Sequence, residues 1–312
     1  RGAHPRCGCL DSGAVMRIVR ATAGVRVPAT SGNLGPGFDS LGLAHNVWDE
    51  VHVRLTTGPT RVQVLGEGRG TLPTDDSHLI VRAIRRGFEA AGLPQAGIEL
   101  NCRNGIAQGR GLGSSAAAAV AGLMLVRGLV DDPRPFDDDI VLELATEFEG
   151  HPDNAAPALH GGAVISWMGS DGPKAAKVNV SKEIKTTLLV PDAELATEAA
   201  RSVLPSHVPH EDAAFNASRT GMLVLALQGR PDLLFDATED RLHQGYRADS
   251  MPESAEVLRA LREAGWPAVI SGAGPSVLVF DKLDRRTRDL LAARGFRSIT
   301  SGIGSGAHLI EE

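Results

Sequence analysis

A glycine-rich stretch followed by a run of small residues constrains the fold of this chain more than any other feature. It begins at Gly109 and reads G-R-G-L-G-S-S-A-A-A-A-V-A-G. Gly109, Gly111 and Gly113 can adopt positive φ and let a ligand approach bare backbone. Ser114 and Ser115 then precede residues of high helix propensity. The stretch predicts a loop that opens a helix and holds a triphosphate on its N–H groups; the alternative is a tight turn before a buried, Ala-rich helix.

The predicted cradle contains no lysine, although a Walker-type loop requires one. Phosphate charge would therefore have to be offset by backbone N–H groups, by Arg110 and by a metal ion held elsewhere. Ser114 also stands where a dinucleotide-binding fingerprint has its third Gly or Ala, which disfavours a hydride-transfer enzyme. All five lysines lie far along the chain, at Lys174, Lys177, Lys182, Lys185 and Lys282.

Composition excludes several classes of protein. At 312 residues the chain is expected to form two domains. Its net charge of −6 leaves no basic footprint for nucleic acid, and no apolar run approaches the ~18 residues of a membrane span. Residues 1–15 lack the apolar core of a signal peptide, so we expect a cytoplasmic protein. These residues show no periodicity and precede Met16, and we expect them to be a disordered extension or a misassigned start. Three cysteines, Cys7, Cys9 and Cys102, form neither a disulfide framework nor a zinc site.

A polar loop follows a predicted strand at Val25–Pro28. The segment Ala29–Ala44 is so rich in Gly, Pro and Ser that we expect it to stay outside a sheet ladder. Asn33 and Asp39 are embedded in it. Contact with a small molecule and a local Asx-type turn are competing interpretations of these two residues.

Carboxylates and polar side chains follow the cradle helix. Asp137 is predicted to begin a helix that carries Glu143 and Glu147 on one flank. One of these would have to approach Ser115 to hold Mg²⁺, which prefers carboxylate and phosphate oxygens. The helix runs into a Pro-bounded segment that is either a helix cap or a site loop and that contains His151, Asp153 and Asn154.

The second half of the chain alternates short strands and helices, which suggests an α+β sandwich. A change of composition at 169–185 marks the predicted domain boundary. A second glycine loop, Ser271–Ser276, lies between two apolar strands and predicts a close backbone approach.

Four of these segments together resemble the GHMP kinase superfamily and, within it, the homoserine kinase family. The glycine-serine stretch from Gly109 is similar to the superfamily's ATP motif, and Ser271–Val277 to its third motif. The segments Pro28–Ala44 and Glu149–Ala158 are similar to homoserine kinase signatures.

This resemblance implies an α+β fold of two domains: a ribosomal protein S5 domain 2-like N-terminal domain at 16–180 that binds ATP, and a ferredoxin-like C-terminal domain at 181–312. It implies ATP and Mg²⁺ as cofactors. The reaction would be phosphorylation of L-homoserine to O-phospho-L-homoserine, a step of threonine biosynthesis. It involves no nucleic acid and no membrane, and it is compatible with a homodimer.

The resemblance also implies roles for single residues. Glu143, eight residues before His151, would hold Mg²⁺ with Ser115, and His151 and Asp39 would be candidate bases. Homoserine would be surrounded by Asn33, Asp39, His151 and Asn154, with Arg201 and Arg247 on its carboxylate. ATP would contact Ala107, Gln108, Gly109, Arg110, Gly111, Leu112, Gly113, Ser114, Ser115, Ala116 and Ala117. His78 stands where an Asn near the adenine is frequent. A kinase of another small alcohol and a non-catalytic nucleotide-binding regulator remain alternatives.

Overall fold

A computed structural model describes residues 16–310; the predicted extension at 1–15 lies outside the described residues. The strands are Thr22–Gly32 (β1), Leu41–Thr56 (β2), Arg61–Gly66 (β3), Gly97–Asn104 (β4), Ala163–Gly169 (β5), Gly172–Val178 (β6), Thr186–Pro191 (β7), Ala268–Ile270 (β8), Val277–Val279 (β9), Phe296–Ser301 (β10) and His308–Ile310 (β11). The helices are Leu79–Ala90 (α1), Ser114–Leu129 (α2), Asp138–Glu149 (α3), Ala155–His160 (α4), Thr197–Ser202 (α5), His210–Leu227 (α6), Leu234–Ala237 (α7), Gln244–Arg247 (α8), Pro252–Glu263 (α9) and Arg285–Ala292 (α10).

The first sheet has the order β11-β1-β2-β4-β3. β5 pairs with Leu41–Leu43, the first residues of β2, and β6 pairs with β5. The two strands on either side of the Gly58-Pro59 turn, β2 and β3, are not neighbours in the sheet. β3 instead pairs in parallel with β4, which lies between β2 and β3. A parallel pair needs a crossover connection, and α1 supplies it.

The ladder of β1 and β2 extends into the segment that we expected to be a loop. Ala29–Gly32 pairs with Gly42–His45, after an irregularity in register between Pro28 and Ala29. Because a bulge absorbs two extra residues of β2, Asn46 and Val47, the small residues beyond it can rejoin the ladder. The open loop is therefore only Asn33–Ser40, and it is held at the end of two rigid strands.

Small side chains let α2 lie in the centre of the first domain. Almost all of the helix is buried, with α1 and β1 packed against it. A Cβ atom at Gly122 would lie 2.6 Å from the Ala83 Cβ and the Ile80 carbonyl oxygen. The Ala-rich run after the glycine loop is thus a packing requirement, since larger residues would push the helices apart.

The second sheet has the order β10-β7-β9-β8. The expected α+β architecture of two sheets is confirmed. The charged segment that begins at Gly169 forms β6 rather than a linker, and β11 returns to the first sheet beside β1; the boundary at 180 stays a prediction. None of the helices within 16–310 is long and apolar enough to cross a membrane.

Candidate active site

A cavity of about 430 Å³ lies where the first glycine loop, the loop Asn33–Ser40 and the second glycine loop meet. Of the predicted nucleotide contacts, Ala107, Leu112, Ala116 and Ala117 are buried and do not line it. The predicted residues that line it are Gln108, Gly109, Arg110, Gly111, Gly113, Ser114, Ser115, Asn33, His151, Asn154, Arg201 and Arg247.

The glycine loop exposes its N–H groups as predicted. Gly109, Gly111 and Gly113 have φ of 64°, 69° and 65°, a conformation that favours glycine. Gly113, rather than a serine, is the N-cap of α2. From Gly109 to Ala116, no backbone N–H donates a hydrogen bond to another of the described residues. Unpaired N–H groups beside a helix N-terminus form a site for an anion.

Arg110 does not serve the loop in the way the sequence suggests. Its guanidinium donates to the carbonyl oxygens of Pro191, Gln108 and Asp192 at 2.7–2.9 Å, and to Glu194 at 3.2 Å. The side chain therefore fastens the loop to the segment after β7. Its charge is committed there, so the expected role in neutralising phosphate is not supported.

The carboxylate beside Ser115 is Glu149, which corrects the expectation for Glu143. Glu143 is exposed on α3 and does not line the cavity. Glu147 is exposed as well and binds Arg86 at 2.8 Å. Glu149, the last residue of α3, lines the cavity; burial raises its pKa, and the hydrogen bond from Ser115 and the charge of His151 offset part of that effect.

The error has a geometric cause. An eight-residue interval before His151 assumes a long connection after the helix, but here only Gly150 separates the end of α3 from His151. Gly150 adopts a left-handed conformation with φ of 80°, which ends the helix.

His151, which is half-buried, and the buried Asp153 form a pair in the lining of the cavity. The His151 Nδ1 hydrogen-bonds the Asp153 Oδ1. Burial lowers the pKa of His151, but the hydrogen bond and charge of Asp153 raise it by more, so it lies above the ordinary 6.5. The other carboxylate oxygen of Asp153 is buried and has no partner among the described residues. Asp153 lines the cavity, and this unpaired oxygen lies against Gly32, where a Cβ would be 2.3 Å from it.

Asp39 and Arg201 bind each other at the same end of the cavity. Two guanidinium nitrogens of Arg201 lie 2.5 and 3.2 Å from the two carboxylate oxygens of Asp39. Asp39, which adopts a φ of 53°, is not itself among the lining residues. A bidentate pair of this kind is strong and fixes both side chains.

Arg247 is the second cation at this end. It lies in α8, is 1% exposed, and donates from Nε to the Ala200 carbonyl at 3.0 Å. Its Nη2 makes no hydrogen bond to a described residue. Burial and the charge of Arg201 lower its pKa. Both guanidinium groups lie over the ring of Phe38, at 5.6 and 5.7 Å from its centroid, so this ring keeps the two cations at one end of the cavity.

Two predicted residues, Asn33 and Asn154, make hydrogen bonds between segments that line the cavity. Asn33 donates to the Gly272 carbonyl at 2.8 Å and accepts from the Asp39 N–H at 2.9 Å. Asn154 accepts from the Thr30 hydroxyl at 2.9 Å. Both line the cavity, but their hydrogen bonds within the protein indicate that they position backbone and neighbouring side chains.

The opposite end of the cavity carries unpaired polar atoms. His78 caps α1 by accepting the Ile80 N–H on Nδ1 at 3.3 Å, so in the neutral ring the proton is on Nε2. That Nε2 and the Oδ1 of Asn104 are buried without a partner among residues 16–310. Burial raises the pKa of Asp49 to about 7, although hydrogen bonds from the N–H groups of Ile106 and Gly105 lower that pKa in part.

Sequence reasoning missed Glu149, Asp49 and Asn104 as cavity residues, and it left Asp153 without a role. The signal for Glu149 was present, because it is the glutamate next to Gly150, where a helix is expected to end. Asp49 and Asn104 lie opposite each other in the antiparallel ladder of β2 and β4 and line the cavity together with His78, an arrangement that depends on pairing between segments far apart in the chain.

Comparison with known proteins gives the class to which this fold and site belong. The model of the GHMP kinase N-terminal domain matches residues 78–162, and that of the GHMP kinase C-terminal domain matches residues 222–297. Fold and cavity together define a GHMP kinase, an ATP-dependent kinase that acts on an alcohol group.

Relatives give the particular family. A homoserine kinase of Clavibacter michiganensis is 52% identical over 256 residues, which cover 82% of this chain and 81% of that protein. One of Streptomyces coelicolor is 49% identical over 85% of this chain and 86% of its own length. The crystal structure of homoserine kinase from Cytophaga hutchinsonii matches with a TM-score of 0.80 and 28% identity, covering 94% of this chain and 98% of that one. The chain belongs to the homoserine kinase family.

Proposed function

We propose that this chain transfers the γ-phosphoryl group of ATP to the side-chain hydroxyl of L-homoserine, forming O-phospho-L-homoserine and ADP on the route to threonine. One observation carries the proposal. A single cavity is lined by the glycine loop, whose N–H groups donate to no other described residue, by Arg201 and Arg247, and by Asp153. Phosphoryl transfer depends mainly on such positioning and on charge stabilisation. We infer a cytoplasmic location, where ATP and amino acids are available.

The Asp39–Arg201 pair favours a zwitterionic acceptor. An amino acid carries an ammonium and a carboxylate. When it binds, its ammonium can replace Arg201 beside Asp39. Its carboxylate can replace Asp39 on Arg201 and can also contact the Nη2 of Arg247. An alcohol without an amine would leave Asp39 and Arg201 imperfectly compensated, at a cost in affinity. The proposed selection against isoprenoid alcohols therefore depends on paired charges rather than on shape alone.

We place the acceptor hydroxyl at the Oδ2 of Asp153. This oxygen can accept a hydrogen bond from the hydroxyl. Without that bond it stays a buried acceptor with no partner among the described residues. His151, whose pKa is raised by Asp153, is held as a proton donor to that carboxylate and is poorly suited to be the base. Asp39, bound to Arg201, is equally unsuited. We propose that the proton leaves the hydroxyl late, with Asp153 as the nearest side-chain acceptor.

Mg²⁺ fits the Ser115–Glu149 pair. A hydroxyl and a carboxylate at the mouth of the glycine loop are hard oxygen donors of the kind this ion uses with phosphate oxygens. When bound, the ion would neutralise charge on the phosphates that no lysine offsets. One further group in the described part of the chain has metal-ligand spacing, Asp39 with His151 and Asp153, but its members bind Arg201 and each other.

The unpaired atoms at the other end suit adenine. His78 offers a donor from Nε2 and Asn104 an acceptor from Oδ1. Adenine presents an exocyclic amine beside a ring nitrogen that accepts, and so can satisfy both. We therefore place the base between His78 and Asn104, with its phosphates directed toward Gly109–Ser115.

The decisive experiment measures ADP release by the purified chain with L-homoserine and with matched alcohols. We expect turnover with L-homoserine, much less with D-homoserine, and none with mevalonate or with 2-aminobutyrate, which lacks the hydroxyl. Faster turnover with mevalonate would contradict the proposed acceptor. ATP binding with no ADP release for any alcohol would favour the regulator instead.

A further inference from the structure

The carbonyl groups of the glycine loop all accept hydrogen bonds within the protein, so only its N–H groups remain to contact a ligand. Each carbonyl oxygen from Gln108 to Gly113 accepts a hydrogen bond. The donors are the Arg110 Nη1 for Gln108 (2.7 Å), the Leu195 N–H for Gly109 (2.9 Å), the Ser276 N–H for Arg110 (3.3 Å), the Ser271 hydroxyl for Gly111 (2.6 Å), the Thr30 N–H for Leu112 (3.0 Å) and the Ala117 N–H for Gly113 (2.8 Å).

The Gly111 carbonyl is the one held by a hydroxyl. The two glycine loops are packed so closely here that a Cβ at Gly111 would lie 2.3 Å from the Ser271 carbonyl oxygen. The donor to Gly111 comes from the side chain of Ser271. A hydroxyl rotates freely unless it is itself anchored, so the orientation of Ser271 requires a further partner.

That partner is a buried chain of hydrogen bonds. The Ser271 Oγ lies 2.6 Å from the Ser31 Oγ, which lies 2.7 Å from the Nε2 of His45. All three side chains are fully buried, on β1, on β2 and in the loop after β8. Since the Ser271 proton goes to Gly111, Ser31 must donate to Ser271, and His45 must then donate to Ser31 from Nε2.

His45 is fixed in one protonation state by its surroundings. Burial lowers its pKa to about 3, so the ring is neutral. Its Nδ1 is buried without a partner in the described part of the chain, which agrees with an Nε2–H ring that only donates. The direction of every proton in the chain, from His45 to Gly111, is therefore determined.

We propose that His45, Ser31 and Ser271 form a positioning relay that holds the Gly111 carbonyl away from the bound triphosphate and so sets the affinity for nucleotide. It rests on the proposed function only in taking a nucleoside triphosphate as the ligand of the loop. The N–H and C=O of a trans peptide point in opposite directions. If the Gly111–Leu112 peptide rotated, it would exchange a donor for an acceptor at the phosphates.

The test compares relay variants by the Kd for ATP without any acceptor alcohol, by the KM for each substrate, and by thermal denaturation. Ser271→Ala is expected to weaken ATP binding about tenfold, with less than about a twofold change in the KM for homoserine. His45→Leu is expected to shift the Kd in the same direction, and His45→Gln, which keeps an N–H donor, to restore it. The double variant Ser31→Ala/Ser271→Ala should bind ATP no more weakly than Ser271→Ala.

Ser166→Ala is the matched control, because Ser166 is also a buried serine whose hydroxyl donates to a carbonyl, that of Ser40 at 3.2 Å. It should lower stability without changing the Kd for ATP. An unchanged Kd in Ser271→Ala, or an equal loss in Ser166→Ala, would overturn the relay. If Ser271→Ala does not fold, the two His45 variants decide. Wild-type protein that binds ATP but ignores homoserine would refute only the acceptor, whereas failure to bind ATP would refute both proposals.

Discussion

Ionisable side chains at the end of α3 govern how the cavity responds to protons and metal. Burial favours the neutral form of Glu149, and Asp153 favours the charged form of His151. The two residues are separated only by Gly150, yet their pKa values are both raised for opposite physical reasons. Metal binding and acceptor positioning are therefore expected to have distinct pH dependences.

Replacing Glu149 tests whether it, rather than a neighbour on the same helix, is the proposed metal ligand. Glu149→Gln removes a charged oxygen donor beside Ser115, and we expect kcat to fall by more than about 100-fold at ordinary Mg²⁺ concentration. Glu143→Gln, an exposed change on the same helix, is the control and should keep near-normal activity. Loss in Glu143→Gln with normal turnover in Glu149→Gln would return the role to Glu143.

The pH profile tests the same carboxylate without mutation. Glu149 must be ionised to hold a cation, and its raised pKa places the acid limb of kcat/KM above the ordinary glutamate value of about 4.3. Because Mg²⁺ and the proton compete for the carboxylate, more Mg²⁺ should move the limb to lower pH. A limb that does not respond to Mg²⁺ would argue against Glu149 as the ligand.

His151 makes stability depend on pH in the opposite sense from an ordinary carboxylate. A histidine whose pKa is raised by folding contributes stability that is complete below its unfolded value of about 6.5 and is lost as pH rises through the folded value. The difference in Tm between wild type and His151→Gln should therefore be largest below about pH 6.5 and should become smaller as the pH rises above that value. His210→Gln, at an exposed histidine, should show no such trend.

At the scale of elements, the loop Asn33–Ser40 is held between two short helices. Arg201 of α5 binds its Asp39, and Arg247 of α8 lies over its Phe38. The loop thus receives both cations from the second half of the chain. Because the loop Asn33–Ser40 contacts the two arginines and the glycine loop is the proposed nucleotide site, we expect mutations to affect the binding of homoserine and of ATP separately.

Arg201→Leu tests that separation. We expect the KM for homoserine to rise about tenfold or more, since the carboxylate loses a bidentate partner, while the KM for ATP changes little. Arg230→Leu, which breaks an exposed pair with Asp232, is the control and should alter neither KM. Equal increases in both KM values for Arg201→Leu would contradict a carboxylate clamp.

At the scale of the whole molecule, the sequence predicted local features well and long-range ones poorly. Glycine positions, the start of α2 and the α+β class follow from local chemistry, so they could be read in advance. Glu143 was predicted in place of Glu149 because the length of the connection between α3 and His151 was misjudged. The β3–β4 pairing and the relay from His45 to Ser271 depend on contacts between segments far apart in the chain. The position of residues 302–310 is the clearest case of this kind.

That terminal segment has a consequence for synthesis. Gly302 and Gly304 hydrogen-bond to Asn46 and Ala44 of β2, and β11 pairs with β1. Since β1 is synthesised long before β11, its edge must stay unpaired until residues 302–310 have been made, whereas domains usually fold in the order in which they are made. A nascent chain stalled before Gly302 would therefore hold an incomplete first sheet, in which β1 has β2 on one side and an unpaired edge on the other.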